Sequence, residues 1–277
     1  MTDFSRYIIA TDLDGTYFGP GGVSVPRNEA AVKRFQAGGG LFTVSTGRVH
    51  LNIRGAIGEP AALLNAPAVL CNGAYLYDFQ EGRPYAPQLM PADDAKELLT
   101  FARQNFPHVD FRVSTVDALL IARTDGYVSR DLHWYDPGTV KLITDGSWCF
   151  DQWYKIVFRD TAEQLGQLRL SLKNVYGDRF SMTASGNEML EVQTHGCNKA
   201  AGLARLHQHC GHDRILIACG DFENDIEMLR AADIAVCPEN AMDAVKAICH
   251  RTLCHCKDGL IGDIVELLEK GELSYEV

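Results

Sequence analysis

The chain has 277 residues, 46% of them hydrophobic, and 26 Lys and Arg against 36 Asp and Glu give it a formal net charge of -10. That length favours two domains over one, and an acidic balance without blocks of Lys or Arg excludes the clustered positive charge of a nucleic-acid footprint. No apolar run reaches the roughly 18 residues of a membrane span, and "MTDFSRYIIATD" lacks the basic start, long apolar core and cleavage site of a secretory signal, so a soluble, cytoplasmic protein is expected.

"RYIIATD" reads as a buried strand. The helix predicted in "PRNEAAVKRFQAGGG" has Pro26 at its start and glycines at its stop. "LFTVSTGR", a segment running to Pro67 and "AVLCNGA" continue the alternation of apolar runs with amphipathic segments. The middle differs. After "YLYDFQEGRPYAPQ" a helix is predicted from about Pro91 to Phe106, with Ala95, Leu98, Leu99, Ala102 and Phe106 on one stripe. Short strands follow in "VDFRVST", "ALLIART", "TVKLIT" and "WYKIVFRD". The helix "TAEQLGQLRLSLKN" opens with Thr161 three residues before Gln164, a capping-box spacing, and "FSMTAS" and "EMLEVQT" complete the segment. This middle reads as an α+β sheet with helices on one face, inserted at about residues 84–190 into an α/β core of residues 1–83 and 191–277. The alternation then resumes through "NKAAGLARLHQH", "RILIACGD", "NDIEMLRAAD", "IAVCP", "AMDAVKAICH" and "LIGDIVELLEKG".

Nine cysteines, an odd count without framework spacing, read as mostly buried, reduced thiols. "HQHCGH" at 207–212 and "CHRTLCHC" at 249–256 lack the paired C-x(2–4)-C spacing of structural zinc sites. A helix end and an ordinary strand are expected there.

Two carboxylates, Asp12 and Asp14, close the first apolar run one residue apart. Like charges so close disfavour each other, so folding alone gives little reason for the pair, whereas a cation or a reacting group gives one. A calcium loop counted from Asp12 would need Glu at its twelfth position, which is Val23. In "VSTGR", Thr46 and Gly47 follow an apolar run and offer a hydroxyl and backbone N–H groups to an anion. Lys199 opens a predicted helix. "LIACGDFENDIEML" ends a strand in Asp221, with Asn224 and Asp225 following. An open parallel sheet gathers the carboxyl ends of its strands at one crevice. There carboxylates 12, 14, 221 and 225 suit Mg²⁺, while Thr46 and Lys199 suit phosphate oxygens. No nucleophile elbow, P-loop or dinucleotide fingerprint is present.

"DLDGT", "STGR", "NKA" and "GDFENDIEML", in that order, together with "CNGA" at 71–74, "ENA" at 239–241 and "CKDGLIGDIVELL" at 256–268, resemble the haloacid dehalogenase superfamily and within it the Cof-like, inserted-cap sugar-phosphatase branch of subclass IIB. The resemblance implies a Rossmann-like core with a parallel sheet, a mixed α/β cap that closes over the site, and Mg²⁺-dependent phosphoryl transfer. It makes Asp12 the nucleophile that forms an aspartyl phosphate and Asp14 the acid and then the base. Thr46, Gly47, Lys199 and Asn224 would hold the phosphate. Asp12, the backbone carbonyl of Asp14, Asp221 and Asp225 would hold or support the metal. Tyr17 and Phe18 stand where the family often carries small or aliphatic residues, and Asn198 precedes Lys199 where a small residue is usual.

The expected activity is hydrolysis of a small phosphorylated metabolite, foremost a sugar phosphate. A phosphatase of another small monoester such as pyridoxal phosphate, a phosphomutase, and a phospho-ligand binding protein without turnover are the alternatives. Neither a nucleic acid nor a membrane is an expected partner.

Overall fold

β1, Tyr7–Thr11, is buried in four of its five residues, the pattern of a parallel strand covered on both faces. In this computed structural model, which describes residues 2–144, 146–211 and 213–273, the chain next forms the helix Pro26–Ala37 and β2, Leu41–Val44. It then forms the antiparallel meander β3, Ala68–Leu70, β4, Tyr75–Asp78, and β5, Arg83–Tyr85. β6, Asp110–Thr115, β7, Leu119–Ile121, β8, Val140–Leu142, β9, Trp153–Arg159, β10, Phe180–Ala184, and β11, Met189–Thr194, make a second sheet. The chain closes with β12, Ile215–Cys219, β13, Ile234–Pro238, and β14, Arg251–Leu253.

Contacts divide the chain into two compact units. One takes the residues up to Gly47, Ile57–Ala86 and those from Asn198 on; the other takes Arg48–Ala56 and Pro87–Cys197. The edges differ from the expected 84 and 190 because β5 pairs with β4 in the first unit and β11 pairs with β9 in the second. The short helix His50–Ile57, read from sequence only as part of a segment running to Pro67, lies almost wholly in the second unit.

The first unit holds a five-stranded sheet of order β14-β13-β12-β1-β2, parallel throughout. Ile8 and Ala10 pack with Leu203, Leu206, Met228 and Leu229 from the helices Lys199–Cys210 and Ile226–Ala231. Truncating a buried Ile of this kind to Ala costs about 2–5 kcal/mol. Pro26–Ala37 packs against the last helix, Leu260–Lys270, and Arg27 bridges them to Asp263 and Glu266 at 2.7 and 2.8 Å. Register places the chemistry. Thr11 pairs with Val44 on one side and Cys219 on the other, so the residues after all three strands leave the sheet at one edge.

The second unit is α+β. Its six strands run in the order β10-β11-β9-β6-β7-β8, antiparallel except for the β7–β8 pair. The helices Ala92–Asn105 and Ala162–Tyr176 cover one face, where Leu98, Leu99, Leu165 and Leu168 meet Phe111, Val113, Ile156 and Phe158. Thr161 caps the second helix by accepting from the Gln164 backbone at 3.4 Å. The opposite face carries Arg112, Ser114, Lys155, Arg159, Glu191 and Gln193, and all six are buried. Lys155 pairs with Glu191 at 2.8 Å, and Arg112 and Arg159 share Asp131 at 2.8 and 3.0 Å. Alternating polar positions of this sort ordinarily face water, so a buried polar face is a departure from simple sheet patterning.

Among the described residues no helix is long and apolar enough to cross a membrane. His207 lies inside the helix Lys199–Cys210, its Nε2 2.8 Å from the Arg214 carbonyl, and His212 falls outside the described residues. Cys254 and Cys256 follow β14 on the way into the turn Cys256–Asp258.

Candidate active site

Asp12 is the first residue beyond β1, and its N–H donates to the Cys219 carbonyl at 2.8 Å, which fixes it against the end of β12. Lys199 begins a helix because Asn198 caps it, the Asn198 side chain accepting from the Ala201 N–H at 2.8 Å. The Lys199 ammonium is wholly buried and donates to Asp12 Oδ1 and to Asp225 Oδ1, each at 2.6 Å. Asp225 Oδ2 accepts from the backbone N–H groups of Asp221 and Phe222 at 2.9 and 3.1 Å, so this carboxylate ties the lysine to the loop after β12. Asp221 Oδ1 accepts from the Thr16 hydroxyl at 2.9 Å.

Electrostatics identify what this cluster lacks. Three carboxylates face one buried lysine. Burial drives the Asp12 carboxyl well above its usual range; Lys199 opposes that, while Asp225, Asp221 and Asp14 add to it. Burial first and Asp225 second push Asp221 up to about 7, against the Thr16 hydrogen bond and Lys199. Burial works against the charge on Lys199, but Asp12 and Asp225 overcome it and hold the ammonium above its ordinary range. Ionising both Asp12 and Asp221 requires further positive charge. Oxygen atoms of Asp12, Asp221 and Asp225 lie within 4.8 Å of one another, and an all-oxygen donor set of this kind fits a hard divalent cation such as Mg²⁺.

The turn from Leu13 to Tyr17 shapes the rim. Asp14 is exposed, near enough to raise both Asp12 and Asp221, but its carboxylate is not part of the buried trio. Gly15 has a φ of 85°, and a Cβ there would sit 2.5 Å from Asp221 Oδ2. Tyr17 and Phe18 are each 2% exposed and pack edge to face at 5.3 Å, with Phe42 5.8 Å from Tyr17. Their bulk fills the core of the first unit.

Thr46 lies two residues past β2 and is buried; its N–H donates to the Val69 carbonyl at 2.9 Å and its carbonyl accepts from the Asn72 N–H at 3.0 Å. Gly47 ends this stretch of the first unit, whereas Arg48 belongs to the second, its guanidinium 4.4 Å from the centre of the Trp134 ring. Asn224 donates to Asn72 Oδ1 at 3.3 Å.

Four residues beyond the sequence-based set join the site. Asn72 is buried in a turn whose residues Cys71, Asn72 and Gly73 have φ of 54°, 49° and 87°. A side chain at Gly73 would collide with the Asn198 carbonyl, so the glycine permits the close approach. Thr16 and Gly15 set Asp221, and Asn240 donates to the Gly15 carbonyl at 2.8 Å while accepting from the Cys256 N–H at 3.0 Å. The "CNGA" and "ENA" stretches were the signal for Asn72 and Asn240.

A parallel sheet with a buried acid and lysine cluster at its carboxyl edge defines a Rossmann-like enzyme with a carboxylate-lined site. The chain belongs to the haloacid dehalogenase-like hydrolase family, whose model matches residues 9–262. It is similar to pyridoxal phosphate phosphatase YbhA of Escherichia coli strain K12, 27% identical over 251 residues that cover 87% of this chain and 90% of that protein. It is 30% identical over 248 residues to an HMP-PP phosphatase of Escherichia coli O157:H7, covering 87% and 86% of the two chains. Among solved structures, a HAD/COF-like hydrolase from Plasmodium vivax superposes with a TM-score of 0.84 at 20% identity over 96% of each chain. The HAD subclass IIB sugar phosphatase BT4131 superposes with a TM-score of 0.78 at 18% identity, covering 96% of this chain and all of the other. These two share the fold.

Proposed function

We propose that the chain is a cytoplasmic, Mg²⁺-dependent phosphatase of a small phosphorylated metabolite that works through an aspartyl phosphate on Asp12. The observation that carries this reading is the buried Lys199 bridging Asp12 and Asp225 at 2.6 Å beside Asp221. It holds a carboxylate nucleophile in place within a cluster that needs one more cation. Asp12 and Asp221, with the Asp14 carbonyl, would hold Mg²⁺, and Asp225 would support them. The bound metal would neutralise charge on the phosphoryl oxygens and on Asp12.

In the first step an Asp12 oxygen attacks phosphorus and the alkoxide leaves, taking its proton from Asp14. In the second, Asp14 removes a proton from water, which attacks the aspartyl phosphate and releases inorganic phosphate. Lys199, the Thr46 hydroxyl, the Gly47 N–H and Asn224 hold the phosphoryl oxygens, because this transfer depends on positioning and charge neutralisation more than on nucleophile strength.

For the substrate, a sugar phosphate follows from the sequence resemblance. A second reading is favoured by two relatives, named for pyridoxal phosphate and, in Bacillus subtilis, for 5-amino-6-(5-phospho-D-ribitylamino)uracil: a monoester carried by a nitrogen heterocycle. We assign the choice between them to the second unit, whose buried polar face offers charged and amide groups. The test is phosphate release from a panel of sugar, vitamin and nucleoside phosphates, with Mg²⁺ and with chelator. Metal-dependent release is expected from one chemical group of substrates. Release indifferent to chelator would overturn the metal assignment, and none from any substrate would overturn the phosphatase.

A further inference from the structure

We propose that Arg159, with Arg112 and Arg130 beside it, forms an oxyanion site in the second unit that takes a carboxylate or a second phosphate on the substrate, so that the enzyme acts on phosphate monoesters carrying another acidic group. This rests on the phosphatase reading and on the assignment of substrate choice to the second unit. Arg159 ends β9 on the polar face of its sheet, and Arg112 lies on the neighbouring β6, two residues beyond Asp110, which pairs with Arg159. Asp131, in the turn Val128–Trp134, serves both arginines. Arg112 Nε donates to its Oδ2 at 2.8 Å, and Arg159 Nη1 donates to its Oδ1 and Oδ2 at 3.0 and 3.3 Å.

The other edge of the Arg159 guanidinium is left for a ligand. Its Nε is buried without a hydrogen-bond partner among the described residues. Glu188 stands 3.9 Å from its Nη2, too far for a hydrogen bond, and is held by Arg130 at 2.7 Å instead. Nε and Nη2 lie along one edge of the planar fork, where two parallel N–H groups match two oxygens of a carboxylate or phosphate. A buried donor without an acceptor is rare in a folded protein and costs stability. A two-oxygen anion on this edge satisfies it.

Charge points the same way. Arg112, Arg130 and Arg159 face two carboxylates, Asp131 and Glu188, which leaves one positive charge in excess. The nearby Lys155 and Glu191 balance each other at 2.8 Å. Burial works against the charge on Arg159, and although Asp131 and Glu188 oppose this, Arg112 and Arg130 add to it and the guanidinium stays below its ordinary range. An arriving oxyanion supplies the missing charge. In a chain of net charge -10, a local excess of this kind offsets the general repulsion of an acidic group. The side chains of Arg130 and Glu188 are 58% and 44% exposed, so the cluster is reached from solvent.

The test has two parts, both on the full-length protein. In chelator, so that the result does not depend on turnover, malonate and inorganic phosphate are titrated in turn and the Arg159 Nε–H is followed by NMR, its resonance assigned by its loss in Arg159→Lys. The resonance should move downfield and saturate, with malonate where a carboxylate is the group recognised and with phosphate where a second phosphate is. With Mg²⁺, phosphate release is compared within matched pairs: phosphoglycerate against glycerol phosphate, and fructose bisphosphate against fructose phosphate. The acidic member of one pair should have a kcat/KM higher on the order of tenfold, the least that a hydrogen bond to a charged group supplies. That preference should vanish, through KM, in both Arg159→Lys and Arg159→Gln. Lysine keeps a cation beside Asp131, so the comparison stands even where glutamine prevents folding. A resonance that ignores both anions, no preference for the acidic members in the parent, or the same preference in Arg159→Lys would each overturn the proposal. Should no substrate release phosphate, the phosphatase reading falls and the substrate role with it, and the titration alone then decides the oxyanion site.

Discussion

Replacing Lys199 with Met removes the only cation the buried trio touches through a hydrogen bond among the described residues, at nearly constant side-chain volume. Two charge-assisted bonds of 2.6 Å are lost, and Asp12 and Asp225, 7% and 1% exposed, are left without their countercharge. Stranding buried partners in this way costs about 3–5 kcal/mol. For a unit of this size that lowers the melting temperature on the order of 10 °C. The loss must depend on pH, because the stranded Asp12 carboxyl, already raised by burial, relieves it by taking up a proton. Thermal unfolding of both proteins in chelator at pH 8 and pH 5.5 measures this. The variant should be far less stable at pH 8, and the gap should narrow at pH 5.5. A variant as stable as the parent at pH 8, or a gap that ignores pH, would show that Lys199 is not the countercharge.

Asp12→Asn should abolish phosphate release while leaving the melting temperature within a few degrees of the parent, and an undiminished rate would rule out the covalent step. Asp221 should make Mg²⁺ binding pH-dependent. With its carboxyl raised to about 7 in the folded protein from the ordinary 3.8, the metal must displace a proton below neutrality, so affinity rises with pH up to about 7 and levels off above it. The same shift means that metal-free folding stability from this group is fully present below about pH 4 and lost by about pH 7, which unfolding in chelator would reveal. Gly15→Ala should destabilise by about 1–3 kcal/mol, because the residue has a φ of 85° and its Cβ would press on Asp221; unaltered stability and Mg²⁺ affinity would refute the contact. Replacing Lys155 with Met and Glu191 with Leu together should leave folding nearly intact, since exchanging a whole buried pair for apolar side chains is often neutral, yet change which phosphates are hydrolysed.

The core and its edge were legible because each signal was local. "RYIIATD", "LFTV" and "RILIACGD" are apolar runs with a carboxylate or hydroxyl just beyond, and parallel register then brings those ends together. The helix read from about Pro91 to Phe106 forms as Ala92–Asn105 for the same reason, its stripe being continuous. What local reading missed depends on distant partners. Asn72 gains its place from three successive left-handed residues and the close approach of Asn198, and Asn240 from Gly15, 225 positions away. Nothing in "HLNIRGAI" announces that this helix packs with the second unit, and nothing in "DFRVST" or "WYKIVFR" tells a solvated polar face from a buried one. In the same way Tyr17 and Phe18, read beside Asp12 and Asp14, turn out to be core packing.

The position of β1 in the middle of its sheet sets an order of events for a growing polypeptide. Tyr7 pairs with Ile215, so one side of the first strand to be synthesised has no neighbour until the last quarter of the chain exists. β6 to β11, with their two covering helices, fall between Asp110 and Thr194 or just before and are complete by then. During synthesis the second unit is therefore expected to mature while Ile8 and Ile9 still lack their β12 partner, a period in which a bare apolar edge invites chaperones or association between chains. Protease protection of ribosome-stalled chains should appear in residues 87–197 before it appears in residues 2–47. The insertion of the second unit between β5 and β12 thereby delays the closing of the central sheet.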